Sequence, residues 1–365
     1  MMVAMNPTSL NREILTIMKG LGILFIALHN FLHIGSVTHF VKENENTFDI
    51  SRTYSFFDVL INCDWNIFGQ FFSFLGWIGV PVFLFASGYG LVKKYSTYTP
   101  LKTKDYIFHS WKKLFLLLLP AEIFSILISL LKGNWTELIP LSLLKLTMLQ
   151  NFVCAWFPFT PGVHWYFGLT FELYLLYLLI NQVDTKKLLT IFVGILLVQI
   201  VAVIIGGTQD TIWSLIRHNF VGWGHVFLIG MIIAKTDVYK FIPQSNMVLL
   251  FLSAICLVIL PFLQFNIFVW LLFVPFVSLM FFVYFAVFIQ RSFVKHIFLW
   301  LGNYSAFIFV THPIARLFVY ASAWDKYCLP LWLKTIIYIV IFILFSIIYK
   351  TIYRYLMNFR FVKAN

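Results

Sequence analysis

Apolar residues run along this chain in long blocks. At 1.5 Å per residue, ten of them are long enough to cross a hydrocarbon core of about 30 Å: roughly 14–36, 70–92, 105–131, 164–183, 188–206, 216–235, 246–264, 267–290, 296–320 and 331–352. The pattern predicts an all-α polytopic membrane protein with about ten transmembrane helices, filling residues 1–365 as a single integral domain. A further stretch, 139–157, is apolar but carries Lys145, Gln150 and Asn151 and is followed by Pro158 and Pro161, so length alone does not decide whether it crosses.

Composition narrows the class. Of 365 residues, 61% are hydrophobic, 20% aromatic and only 11% charged. Ordinary globular domains carry about 25% charged residues, so soluble, disordered, fibrous and nucleic-acid-binding classes are excluded together. The four cysteines, Cys63, Cys154, Cys256 and Cys328, have neither redox nor metal spacing. The start lacks a basic region before a short apolar core, so the first block reads as a retained span rather than a cleaved leader.

Charge sets the orientation. With the N-terminus inside, the inner segments hold fifteen cations, among them Lys93, Lys94, Lys102, Lys104, Lys186 and Lys187, against Glu13, Asp105, Asp184 and Asp237. The outer segments balance eight cations with eight anions, Glu43 and Asp49 included. This positive-inside bias holds only if 139–157 does not cross, which predicts an interfacial or re-entrant segment there and both termini in the cytoplasm. Topology accounts for most of the net charge of +12.

Ionisable groups inside spans cost on the order of 2.5–3.5 kcal/mol each at the bilayer centre on insertion scales, so they mark function. His29, His312 and Glu122 fall roughly 22–26 Å above the inner helix ends, and Glu172, roughly 12 Å below an outer end, comes near the same layer. Two imidazoles and two carboxylates at one depth suit general acid–base chemistry. Lys19, Lys112 and Lys113 lie lower and would line a basic inner mouth for a phosphorylated ligand, with snorkelling the competing account of the pair on the third span. His33, His39 and His164 read as solvated or interfacial, and His109 and His225 as hydrogen-bond donors in helix packing. No metal is expected: His29 and His33 have helical i, i+4 spacing, but no third ligand is placed by sequence.

The residues also resemble a family. The run Arg12 to Phe31 is similar to the first helix of the acyltransferase-3 family of membrane O-acyltransferases, in which a basic residue and Gly precede a His near the helix end. Gly79 to Tyr95 resembles its second-helix signature ending in Ser-Gly, and Trp111 to Pro120 its basic third-helix start before Pro. Val163 to Tyr177 and Leu301 to Ile314 are similar to its later spans, in the family's order. The spacing from Lys19 to His29 is one shorter than usual, which brings Asn30 to the expected position. Lys112 and Lys113 followed by Leu116 replace two Arg residues three apart, and Phe309 replaces a Tyr.

The resemblance implies transfer of an acyl group, commonly acetyl from acetyl-CoA, to a hydroxyl of an extracytoplasmic glycan, lipid-linked sugar or glycolipid, by a multi-pass protein of the bacterial cytoplasmic membrane among membrane lipids. His29 would be the acid–base residue or a transient acyl carrier, oriented by His312, Glu122 or Glu172; Lys19, Lys112, Lys113 and Ser87 would serve the acyl-CoA. A proton-coupled transporter or flippase could use the same buried groups, but the chain shows no inverted repeat. A membrane glycan polymerase would want long outer loops with several Arg residues, and those here have few.

Overall fold

A computed structural model describes residues 10–33, 40–43, 48–62, 66–95, 102–132, 135–153, 162–207, 211–236, 242–321 and 329–358. His39, Cys63, Cys154 and Cys328 lie outside them; Cys256 is buried with a free thiol. Among the described residues every regular element is helical: α1 (Arg12–Leu32), α2 (Ile50–Ile61), α3 (Ile67–Leu75), α4 (Gly79–Tyr95), α5 (Thr103–Lys132), α6 (Trp135–Leu146), α7 (Gln150–Val153), α8 (Trp165–Ile180), α9 (Thr185–Gly206), α10 (Thr211–Arg217), α11 (Phe220–Lys235), α12 (Asn246–Phe262), α13 (Ile267–Gln290), α14 (Lys295–Ala321) and α15 (Leu331–Asn358).

Among the described residues six helical stretches are long and apolar enough to cross a membrane: Arg12–Leu32, Ile67–Tyr95, Thr185–Gly206, Ile267–Gln290, Lys295–Tyr320 and Leu331–Asn358. Trp165–Ile180 and Asn246–Phe262 are apolar but shorter. The chain is a helical membrane protein. Two stretches depart from the simple pattern. The span expected over 70–92 starts at Ile67 and is interrupted by a 3₁₀ turn at Gly76–Ile78. The stretch 139–157 contains a break between α6 and α7, where Met148 adopts φ +65°.

The residues fall into two compact units. The first comprises 1–99, 181–210 and 223–305, the second 100–180, 211–222 and 306–365. In the first, α1 is buried on most of its circumference, and small residues let backbones touch. A Cβ on Gly20 of α1 would overlap the Phe298 carbonyl, and one on Gly302 of α14 would overlap the Thr16 carbonyl. Asn11 Oδ1 caps α1 by accepting from the Ile14 amide at 2.8 Å.

In the second unit, α5 contains Pro120, which removes a backbone donor and wedges the helix open. The chain repairs this from α15. The Tyr349 hydroxyl accepts from the Ala121 amide at 3.0 Å and donates to the Leu117 carbonyl at 2.9 Å, bridging the i→i−4 pair that the proline has separated. The next residue, Glu122, is fully buried.

Candidate functional site

The first unit brings His29, His33 and Glu43 together. Both imidazoles project from the last turn of α1 on one face, because four residues bring a helix back to nearly the same side. Their ring centroids are 4.7 Å apart. His29 Nδ1 lies 3.2 Å from the Phe72 carbonyl; donation to that oxygen fixes the Nδ1–H tautomer and makes Nε2 the basic nitrogen. Gly76 permits the approach. A Cβ there would sit 2.5 Å from His29 Cβ and 2.7 Å from the Phe25 carbonyl, so the 3₁₀ break falls where the second span must touch α1.

Glu43 arrives from the loop after α1. Its neighbour Val41 is held as if by a second strand: the Val41 amide donates to Gln70 Oε1 at 2.9 Å, and Gln70 Nε2 donates to the Val41 carbonyl at 3.1 Å. Ser73 donates to the same carbonyl at 3.2 Å, and Arg52 donates to the Glu43 carbonyl at 2.9 Å. The Glu43 carboxylate is 8% exposed and meets His33 Nδ1 at 2.8 Å, while His33 itself stays 29% exposed. Burial alone would raise this carboxyl, but contact with His33 and the charges of His29 and His33 outweigh it and hold it down to about 2. Phe25, one turn below His29, closes the floor against Phe72 and Phe282, with ring centroids 5.1 and 5.4 Å away. An anion, two imidazoles and an apolar floor make a site that can accept, hold and return a proton.

The second unit has its own polar core. Glu122 meets His164 Nδ1 at 2.6 Å and Lys145 Nζ at 3.7 Å; both Glu122 and His164 are fully buried. His312 is also fully buried, with Nδ1 donating to the Ile308 carbonyl at 3.1 Å and its ring against Phe309. Glu172 is spent on backbone geometry: one oxygen accepts from the Phe220 amide at 2.7 Å, the other from Asn151 at 3.3 Å, and Asn151 also donates to the Trp165 and His218 carbonyls. It ties α7, α8 and the start of α11.

Several expectations need correcting. His164 is not interfacial; it is buried because Glu122, 42 residues earlier, supplies its partner. His33 is ion-paired with a buried carboxylate rather than simply solvated. His109 is exposed rather than a packing donor. His225 is buried in helix packing, but in this bond as an acceptor rather than a donor: its Nδ1 accepts from Gln199 Nε2 at 3.1 Å. Glu43 was legible only as one outer-loop anion, and nothing in its own surroundings signals burial. Of the expected donor-binding residues, Lys19, Lys112 and Ser87 are half-buried and Lys113 is exposed.

The family model for the acyltransferase domain of the acyltransferase-3 family matches residues 12–351. No curated protein and no solved structure matches the chain. The family match begins at the first residue of α1 and ends within α15, taking in the histidine pair at the end of α1 and the polar core of the second unit. Over nearly its whole length, then, the chain belongs to the acyltransferase-3 family, and it is a membrane acyltransferase.

Proposed function

We propose that the chain transfers an acyl group, acetyl in the simplest case, from cytoplasmic acyl-CoA to a hydroxyl of an extracytoplasmic glycan or glycolipid, across ten spans with both termini inside a bacterial cytoplasmic membrane. The observation that carries this reading is the His29–His33–Glu43 cluster at the far end of α1 from its cytoplasmic start, in a chain of the acyltransferase-3 family. In this reading the acceptor hydroxyl gives its proton to imidazole Nε2 as its oxygen attacks the thioester carbonyl. The carbon–sulfur bond breaks, and the imidazolium returns the proton to the departing CoA thiolate. Glu43 holds the charge that develops on the histidine pair. Lys19, Lys112, Lys113 and Ser87 serve the donor.

The test is direct. Purified protein is incubated with labelled acetyl-CoA and lipid-linked or whole-cell glycan, and free CoA and acylated product are followed together. His29→Ala and His33→Ala should each lower turnover by about 10²-fold or more, the usual scale for a general base, while expression and thermal stability persist. CoA release with no acylated product, or full turnover in both variants, would sink the proposal.

A further inference from the structure

The same three side chains have a second chemical capability. His29, His33 and Glu43 each offer one ligand atom, and these atoms all lie within 4.8 Å of one another. Two imidazoles and one carboxylate are the donor set of catalytic zinc sites, and two histidines at i, i+4 on one helix face are a recurrent way of presenting two of those ligands. Zinc ligands at 2.0–2.1 Å in tetrahedral geometry stand about 3.4 Å apart, so the set has to draw in by little more than an ångström from its 4.8 Å span.

The surroundings point the same way. Metal-bound histidines almost always donate the other ring N–H to a carbonyl or carboxylate, which fixes the tautomer. His29 makes this contact through Nδ1 to the Phe72 carbonyl at 3.2 Å, which leaves Nε2 as the ligand nitrogen. Glu43 is more than nine-tenths buried; its carbonyl accepts from Arg52, and Val41, two residues earlier, is held by Gln70 and Ser73. Partial exposure of His33 gives an ion a way in.

We propose that His29, His33 and Glu43 form a binding site for one divalent transition-metal ion of the zinc class. The site stands on these side chains and not on the acyl-transfer reading. The two uses compete, since an ion takes the lone pairs that a proton would occupy, and a loaded protein should transfer acyl groups more slowly.

The experiment uses full-length protein purified in detergent through a tag without histidines and stripped of metal. Cobalt(II) is titrated while visible absorption is followed, and bound zinc is counted by elemental analysis after gel filtration. One ion per chain is expected. Glu43→Gln and His33→Ala should weaken it by more than the roughly 10–100-fold that loss of an outer hydrogen-bond partner costs. His109→Ala, which removes an exposed histidine of the second unit, should bind as the parent does. Thermal unfolding and gel-filtration profiles identify any variant that fails to fold, in which case Glu43→Asp replaces it. No stoichiometric binding, or binding unchanged in both cluster variants, would overturn the site. Binding by a protein inactive in every acyl assay would count against the acyl-transfer reading alone, and acyl transfer by a protein that binds no metal would overturn the metal site alone.

Discussion

Replacing Tyr349 by Phe removes one oxygen and tests how α5 survives its proline. The ring remains, so packing volume is nearly unchanged. What disappears is a bridge of two hydrogen bonds, Ala121 N–H to the hydroxyl at 3.0 Å and the hydroxyl to the Leu117 carbonyl at 2.9 Å. Each bond is worth about 0.5–1.5 kcal/mol net in soluble proteins and about 0.6 in membrane helix bundles. Reclosing the Ala121–Leu117 pair is opposed by Pro120, whose ring crowds the Leu116 carbonyl and holds this turn open. Two bonds therefore give a loss of about 1–3 kcal/mol. Reversible denaturation in mixed micelles should record it, and hydrogen exchange should show the Ala121 amide losing protection more than its neighbours. A loss below about 0.5 kcal/mol with Ala121 still protected would mean that the helix satisfies itself, and that the tyrosine only fills space.

Three further outcomes are expected. Gly76→Ala introduces a methyl 2.5 Å from His29 Cβ and should cost about 1–3 kcal/mol of stability while lowering acyl transfer; near-parental values in both would show that the break yields freely. Glu122→Gln strands buried Lys145 beside an amide and should cost about 3–5 kcal/mol, part of which Lys145→Met in the same chain should restore; an additive double variant would refute the pairing. Asp49 caps α2, and its carboxyl is held below the ordinary 3.8 by bonds from the Ser51 hydroxyl and amide. A depressed carboxyl stabilises most above its unfolded value, so exchange protection at the start of α2 should be full above pH 3.8 and fall as the pH drops below it.

The sequence made α1 and His29 legible because an ionisable side chain inside an apolar helix costs enough to demand a reason. Glu43 carried no such signal. A carboxylate in an outer loop costs nothing until something buries it, and the loop that carries Glu43 is held by Gln70, whose grip on Val41 spans 29 residues and has no local signature. His164 is hidden for a related reason: it stands at the outer end of a span, where the sequence reads as interfacial, and its partner Glu122 lies 42 residues earlier on α5. Depth along a helix can be counted from sequence, which is why Glu122 and His312 were picked out as buried polar positions. Azimuth around the bundle cannot, and it decides that Glu122 faces His164 while Glu172 caps α11.

Where α1 crosses α14, the contact is main chain on main chain, with Gly20 against the Phe298 carbonyl and Gly302 against the Thr16 carbonyl; α4 and α11 repeat the device through Gly88 and Gly230. A contact without side chains has no rotamers to adjust, and therefore no lubricant. Sliding either helix by one residue would drive a Cβ into a carbonyl oxygen, so axial travel is blocked at once and the register of each crossing is fixed by its backbone. The same close approach recurs along α1 at Gly22 against Gly79 and at His29 against Gly76, so the histidine end is registered against the second span at several heights and keeps its place as a unit with it.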